Sequence, residues 1–168
     1  MANIIFVHGL ESSGKGFKGN LFRKVLPGIL TPDFTPFSTE ISYKVLLKKR
    51  MLELFSILDS KQNWIIIGSS FGGLMGALYT CKYQSKVSRL ILLAPLLATS
   101  LLNPKNFVSV DVPVIVFHGR YDQIVPYKPT EKRARELFNN LEYNIVNDDH
   151  MLHLTVQTIN WLKITGIS

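Results

Sequence analysis

The sequence predicts an α/β fold, a three-layer α/β/α sandwich around a mostly parallel sheet, and three observations carry that prediction. Short aliphatic or β-branched runs recur along the chain, and each stops at Gly, Pro or a polar cluster. The runs do not alternate apolar and polar residues, so both faces of their sheet must be covered, as in a parallel sheet. Segments long enough for helices separate them, which is the strand–helix alternation of α/β architecture.

The elements follow in order. Residues 3–7 form a run ending at His8-Gly9, residues 64–67 one ending at Gly68, residues 89–94 one ending at Pro95, and residues 114–117 one ending at His118-Gly119. Weaker strands are predicted at 29–34 and 141–146. Helices are predicted over 41–58, 71–83, 130–140 and 151–164. The first of these carries apolar residues at 41, 45, 46, 52, 54, 55 and 58 with Lys44, Lys48, Lys49 and Arg50 between them. No repeat, low-complexity tract or linker interrupts the pattern, so residues 1–168 are expected to form a single domain.

Composition narrows the function classes. With 46% hydrophobic and 18% charged residues in 168, the chain can build one core, which excludes disorder, collagen-like repeats and coiled coil. The longest apolar run, 90–98, contains Pro95 and falls well short of the roughly 20 residues a bilayer helix needs. The N-terminus has no basic segment before its apolar stretch, so no signal peptide is expected. A lone Cys81 allows neither an intramolecular disulfide nor a thiolate zinc site. A cytoplasmic protein is the expectation. Nineteen Lys and Arg against twelve Asp and Glu give +7. Lys61, Lys82, Lys86, Arg89 and Lys105 lie in a stretch without acids, but no block of like charges or aromatic–basic interleaving accompanies them. No nucleic-acid partner is expected; the charge forms a solvated surface able to steer an anionic ester or acidic carrier.

The chemistry centres on Gly68-Ser69-Ser70-Phe71-Gly72, a G-x-S-x-G pattern directly after a strand. Only Ser70 has glycine two residues away on both sides. At a sharp strand-to-helix turn a serine takes strained dihedrals, and side chains at those flanking positions would collide. The turn lifts the hydroxyl off the sheet and aims a helix N-terminus at it, which favours a developing oxyanion. Serine needs a base, and the base needs an orienting acid. Asp122 and His150 follow later strands, and residues just past the carboxyl ends of parallel strands share one edge. Ser70, Asp122 and His150 are therefore expected to converge there.

Other residues compete. His8 and His118 sit in strand-end His-Gly pairs, where imidazole shapes a loop through backbone bonds, and His153 lies one helical turn past His150. Asp148 and Asp149 directly precede His150 and read as a helix cap and a solvated turn. The stretch Gly9-Leu-Glu-Ser-Ser-Gly-Lys15-Gly16 matches G-x-x-x-x-G-K but ends in Gly where a phosphate loop needs a hydroxyl for magnesium. Nucleotide binding by residues 9–16 is thus a lesser alternative.

On Val7-His8-Gly9, the Ser70 motif, the segment 113–122 and Asp149-His150, the sequence resembles the α/β-hydrolase superfamily, in particular its small, lid-less esterase-like members. The resemblance spans about residues 4–154. It implies a reduced fold of about six strands with no cap domain, since the stretch between Pro95 and Pro113 is too short for one. It also implies oxyanion donors at the amides of Leu10 and Phe71, and a reaction without metal or organic cofactor. The expected function is a serine hydrolase cleaving small, short-acyl carboxylic esters or thioesters through an acyl-enzyme. Leu96, Leu97, Leu101, Leu102 and Phe107 are candidates for a shallow acyl groove, with packing of a loop onto the core as the expected role of at least half of them. A non-catalytic interaction module with the same fold is the alternative.

Overall fold

The computed structural model describes residues 2–167. Five strands form one sheet in the order β1-β2-β3-β4-β5: β1 (Asn3–Val7), β2 (Trp64–Ser69), β3 (Val87–Leu93), β4 (Val114–Gly119) and β5 (Leu141–Val146). Every neighbouring pair is parallel. All five carboxyl ends therefore lie along one edge, which is where the candidate site forms.

Side-chain alternation along the strands feeds two cores. Ile5, Val7, Ile66, Leu90 and Leu92 face one layer, formed by α2 (Tyr43–Leu58), α3 (Phe71–Lys82) and α4 (Tyr127–Leu137). Ile4, Phe6, Ile65, Ile67, Ile91 and Leu93 face the other, formed by α1 (Phe17–Val25), α5 (His153–Thr158) and α6 (Trp161–Thr165). Each large aliphatic side chain buried this way contributes about 1.5–3 kcal/mol. The three-layer sandwich is the architecture expected, and between β3 and β4 the described chain holds only one 3-10 turn, Pro104–Asn106, and no cap.

The expected sixth strand is reduced to one bridge. Leu30 pairs with β1, donating to Ile4 O and accepting from Phe6 N, and the ladder stops there. Two residues on stands Pro32, which has no N–H to make the next bond. Three helices also differ. α1 was not predicted, although Phe17, Leu21, Phe22 and Val25 recur at helical spacing; its start is obscured by the glycine-rich stretch 14–19. α4 begins at Tyr127 rather than 130, because Pro129 falls in its first turn, where the missing N–H is needed by no intrahelical bond. The stretch 151–164 divides at Ile159, and Asn160 caps α6 by accepting from Lys163 N. Among the described residues no helix is long and apolar enough to cross a membrane.

Candidate active site

Ser70 sits between β2 and α3 with φ 55° and ψ −115°, a conformation costly for a residue with a Cβ. Its backbone is pinned on both sides. Ser70 N donates to Leu93 O at 3.0 Å, and Ser70 O accepts from Gly73 N at 2.9 Å and Leu96 N at 3.0 Å. The flanking glycines are sterically required: a Cβ on Gly68 would lie 2.6 Å from Gly72 O, and one on Gly72 would lie 2.1 Å from Val7 O. The strain is thus held by surrounding structure, and it places the hydroxyl at the start of α3.

His150 follows β5 and is brought to the serine, its Nε2 3.0 Å from Ser70 Oγ. Its Nδ1 lies 2.7 Å from Asp122 Oδ2. A carboxylate accepts only, so Nδ1 carries the proton and Nε2 presents its lone pair to the serine hydroxyl. Asp122 comes from the turn after β4, and its side chain is fully buried. Four donors converge on it: Ile124 N at 2.9 Å and Val125 N at 2.8 Å on Oδ1, and His150 Nδ1 with His118 Nε2, the latter at 3.2 Å, on Oδ2. The buried charge is thereby compensated by hydrogen bonds.

The other candidates lie elsewhere. His8 is buried, donates from Nδ1 to Gly9 O at 2.8 Å and accepts from Phe34 N, so it shapes the loop after β1. Burial lowers its pKa and keeps it neutral. His153 stands at the start of α5 against the Phe17 ring, 4.2 Å between centroids. Asp148 caps that turn, accepting from Thr155 N and Oγ1, while Asp149 accepts from Met151 N. The phosphate-loop alternative loses its geometry. Gly14 N donates to Asp33 Oδ1 at 2.7 Å, and the Lys15 side chain is exposed.

Two residues of the site escaped the sequence reading. His118 bonds to the backbone at Val125 O, as its type suggested, but its Nε2 also reaches the Asp122 carboxylate, and Tyr143 Oη lies 2.7 Å from its Nδ1. Desolvation by burial lowers its pKa, so it stands as a neutral donor to Asp122. The signal was its spacing, four residues before Asp122. Arg50, in a lysine-rich helix stretch, is 0% exposed. Its guanidinium donates to Thr35 O at 2.8 Å, Gly9 O at 3.2 Å and Leu10 O at 2.7 Å, and it lies 5.4 Å from the centre of the Phe71 ring. It therefore ties together the two segments that hold the expected oxyanion donors. No sequence signal separates it from the neighbouring lysines.

The loop after β1 lies against the serine: a Cβ on Gly9 would stand 3.6 Å from Ser70 Cβ. Among the described residues the amides of Leu10 and Phe71 make no hydrogen bond, which leaves both able to serve an incoming oxygen. Ser70 and His150 open into a cleft of about 460 Å³ lined by Phe6, Leu10, Phe17, Ile124 and Met151, with Lys18 and Glu11. The expected groove from residues 96–107 does not form there. Leu97 and Leu102 are buried in the core, and Leu96, Leu101 and Phe107 pack against it, because Leu96 N is bonded back to Ser70 O. Among the described residues no group of three or more His, Cys, Asp or Glu could hold a metal ion.

Known proteins resemble this arrangement. A family model described as alpha/beta hydrolase fold matches residues 49–108, the stretch containing the Ser70 turn. No curated protein matches the sequence. Alpha/beta hydrolase domain-containing protein 10 from mouse superimposes with a TM-score of 0.78 at 19% identity, covering 99% of this chain and 90% of its own. Est1E from Butyrivibrio proteoclasticus, solved with ferulic acid bound, gives 0.78 at 16% identity over 99% and 90%. An alpha/beta superfamily hydrolase from Oenococcus oeni gives 0.74 at 13% identity over 99% and 92%.

Proposed function

The chain has the α/β-hydrolase fold, which supports a hydrolase, and from that premise we propose that it is a serine hydrolase of small carboxylic esters or thioesters, built as a single domain. The observation that carries this reading is the unbroken relay from Asp122 through His150 to Ser70, with spacings of 2.7 and 3.0 Å. Ser70 Oγ attacks the acyl carbonyl as its proton passes to His150 Nε2, and Asp122 stabilises the imidazolium that results. The amides of Leu10 and Phe71 receive the oxyanion, aided by the positive end of α3. Collapse breaks the bond to the alcohol or thiol, which leaves with the proton from His150. Water then gives a proton to His150 and attacks the acyl-Ser70 ester, freeing the acid and restoring the hydroxyl. No step calls for a metal or organic cofactor.

A cleft of about 460 Å³ with apolar walls from five separate side chains is read as suiting a small acyl group. Purified protein should hydrolyse 4-nitrophenyl butyrate, and Ser70→Ala should lose on the order of 10⁴ to 10⁶ in kcat. A matched 4-nitrophenyl series should peak in kcat/KM at C2 to C4. Wild-type turnover by Ser70→Ala contradicts the mechanism, and a soluble, folded wild type inert to the whole series points instead to a binding module on this fold.

A further inference from the structure

Lys18 occupies a place that local physics disfavours three times over. It is in the first turn of α1, where the helix dipole opposes a cation and no acidic residue shares that turn. It is only partly exposed. Among the described residues it forms no ion pair, and its Nζ donates to a carbonyl, Met151 O, at 2.6 Å. That carbonyl belongs to the residue after His150, and Lys18 lines the same cleft as Ser70 and His150. An ammonium has three donors, so two remain for a ligand. Local rules broken together at a cleft are expected where a residue serves binding rather than folding.

Resting on the hydrolase reading above, we propose that Lys18 is a subsite for an anion, and that the substrates are esters or thioesters bearing a carboxylate or comparable anionic group. The acids near Lys18 do not take this place. Asp148 is committed to Thr155 and to Asp149 N, and Asp149 to Met151 N. Glu11 lies on the cleft wall in the loop before α1, and the histidines facing the cleft are His150 and His153. Desolvation lowers the Lys18 pKa to about 8, against the raising influence of Asp148 and Asp149. The subsite is therefore charged below about pH 8 and loses its charge above it.

The test compares two matched pairs: 4-(butyryloxy)benzoate against its methyl ester, and the monophenyl ester of adipic acid against phenyl hexanoate. Wild type should favour the anionic member of at least one pair by about 10-fold or more in kcat/KM, the scale of a hydrogen bond to a charged group. That ratio should shrink as pH rises from 7 to 9. Lys18→Met should abolish the ratio, and Lys18→Arg should preserve most of it. Equal loss of both members in Lys18→Met, with the ratio intact, would make Lys18 only a tie between α1 and the His150 loop and overturn the inference. Turnover of the neutral esters without anionic preference overturns the inference alone. Failure on all four esters removes the hydrolase reading and the inference together.

Discussion

The two sides of the cleft are built differently. On one side, after β4 and β5, Asp122 is buried and receives four hydrogen bonds, and every polar atom of the His118–Asp122–His150 cluster has a defined partner. On the other side, the loop between β1 and α1 is partly exposed, at Glu11, Ser12 and Lys15, and separate side chains anchor it: His8, Asp33 and Arg50, with Asn20 and Arg23 from α1. The difference separates two tasks. The proposed proton relay demands one geometry and is over-determined, whereas the loop after β1 is held mainly through its carbonyls at Gly9, Leu10, Gly14 and Lys15, which leaves the Leu10 amide open to a ligand.

If the comparison is right, damage to the buried side should be severe and confined to turnover. Asp122→Asn is the sharpest case. All four contacts on the carboxylate are donors, so neither end of an amide can be turned without setting N–H against N–H. A loss of about 10⁴ in kcat is expected, from a misoriented and wrongly protonated imidazole. Steady-state kinetics on 4-nitrophenyl butyrate measure it; a loss under tenfold would remove Asp122 from the relay.

The loop side should respond more mildly. Arg50→Met leaves the carbonyls of Thr35 and Leu10 without their donor, removes one of the donors to Gly9 O, and loosens the Leu10 amide. A fall of about 10- to 100-fold in kcat with KM nearly constant is expected, below the roughly 10²- to 10³-fold cost of deleting an oxyanion donor outright. A boronic acid inhibitor should weaken in parallel. If melting temperature falls while both kinetic constants and inhibition hold, Arg50 supports the fold and not the oxyanion loop.

This contrast also explains what could be read from the sequence. Strand ends are legible because β1 and β5 are bounded by turn residues at Gly9 and at Asp148. The Ser70 turn is legible because its steric demands allow only glycine at 68 and 72. What escaped depends on long-range partners. Arg50 looks like its lysine neighbours until the carbonyls of Gly9 and Leu10, some forty positions away, are brought to it. The expected groove from residues 96–107 does not form because Leu96 is folded back onto the serine carbonyl, and the cleft beside Ser70 draws Phe6, Phe17, Ile124 and Met151 from four unconnected segments. The lost sixth strand was legible in principle, since Pro32 forbids the second rung.

The central claim is that Ser70 is activated by its imidazole neighbour. Intact-protein mass spectrometry after brief exposure to a fluorophosphonate probe addresses it directly. A single adduct located on Ser70, absent from Ser70→Ala and strongly slowed in His150→Ala, is the result expected. No adduct on folded wild type, or labelling that proceeds undiminished without His150, would contradict it.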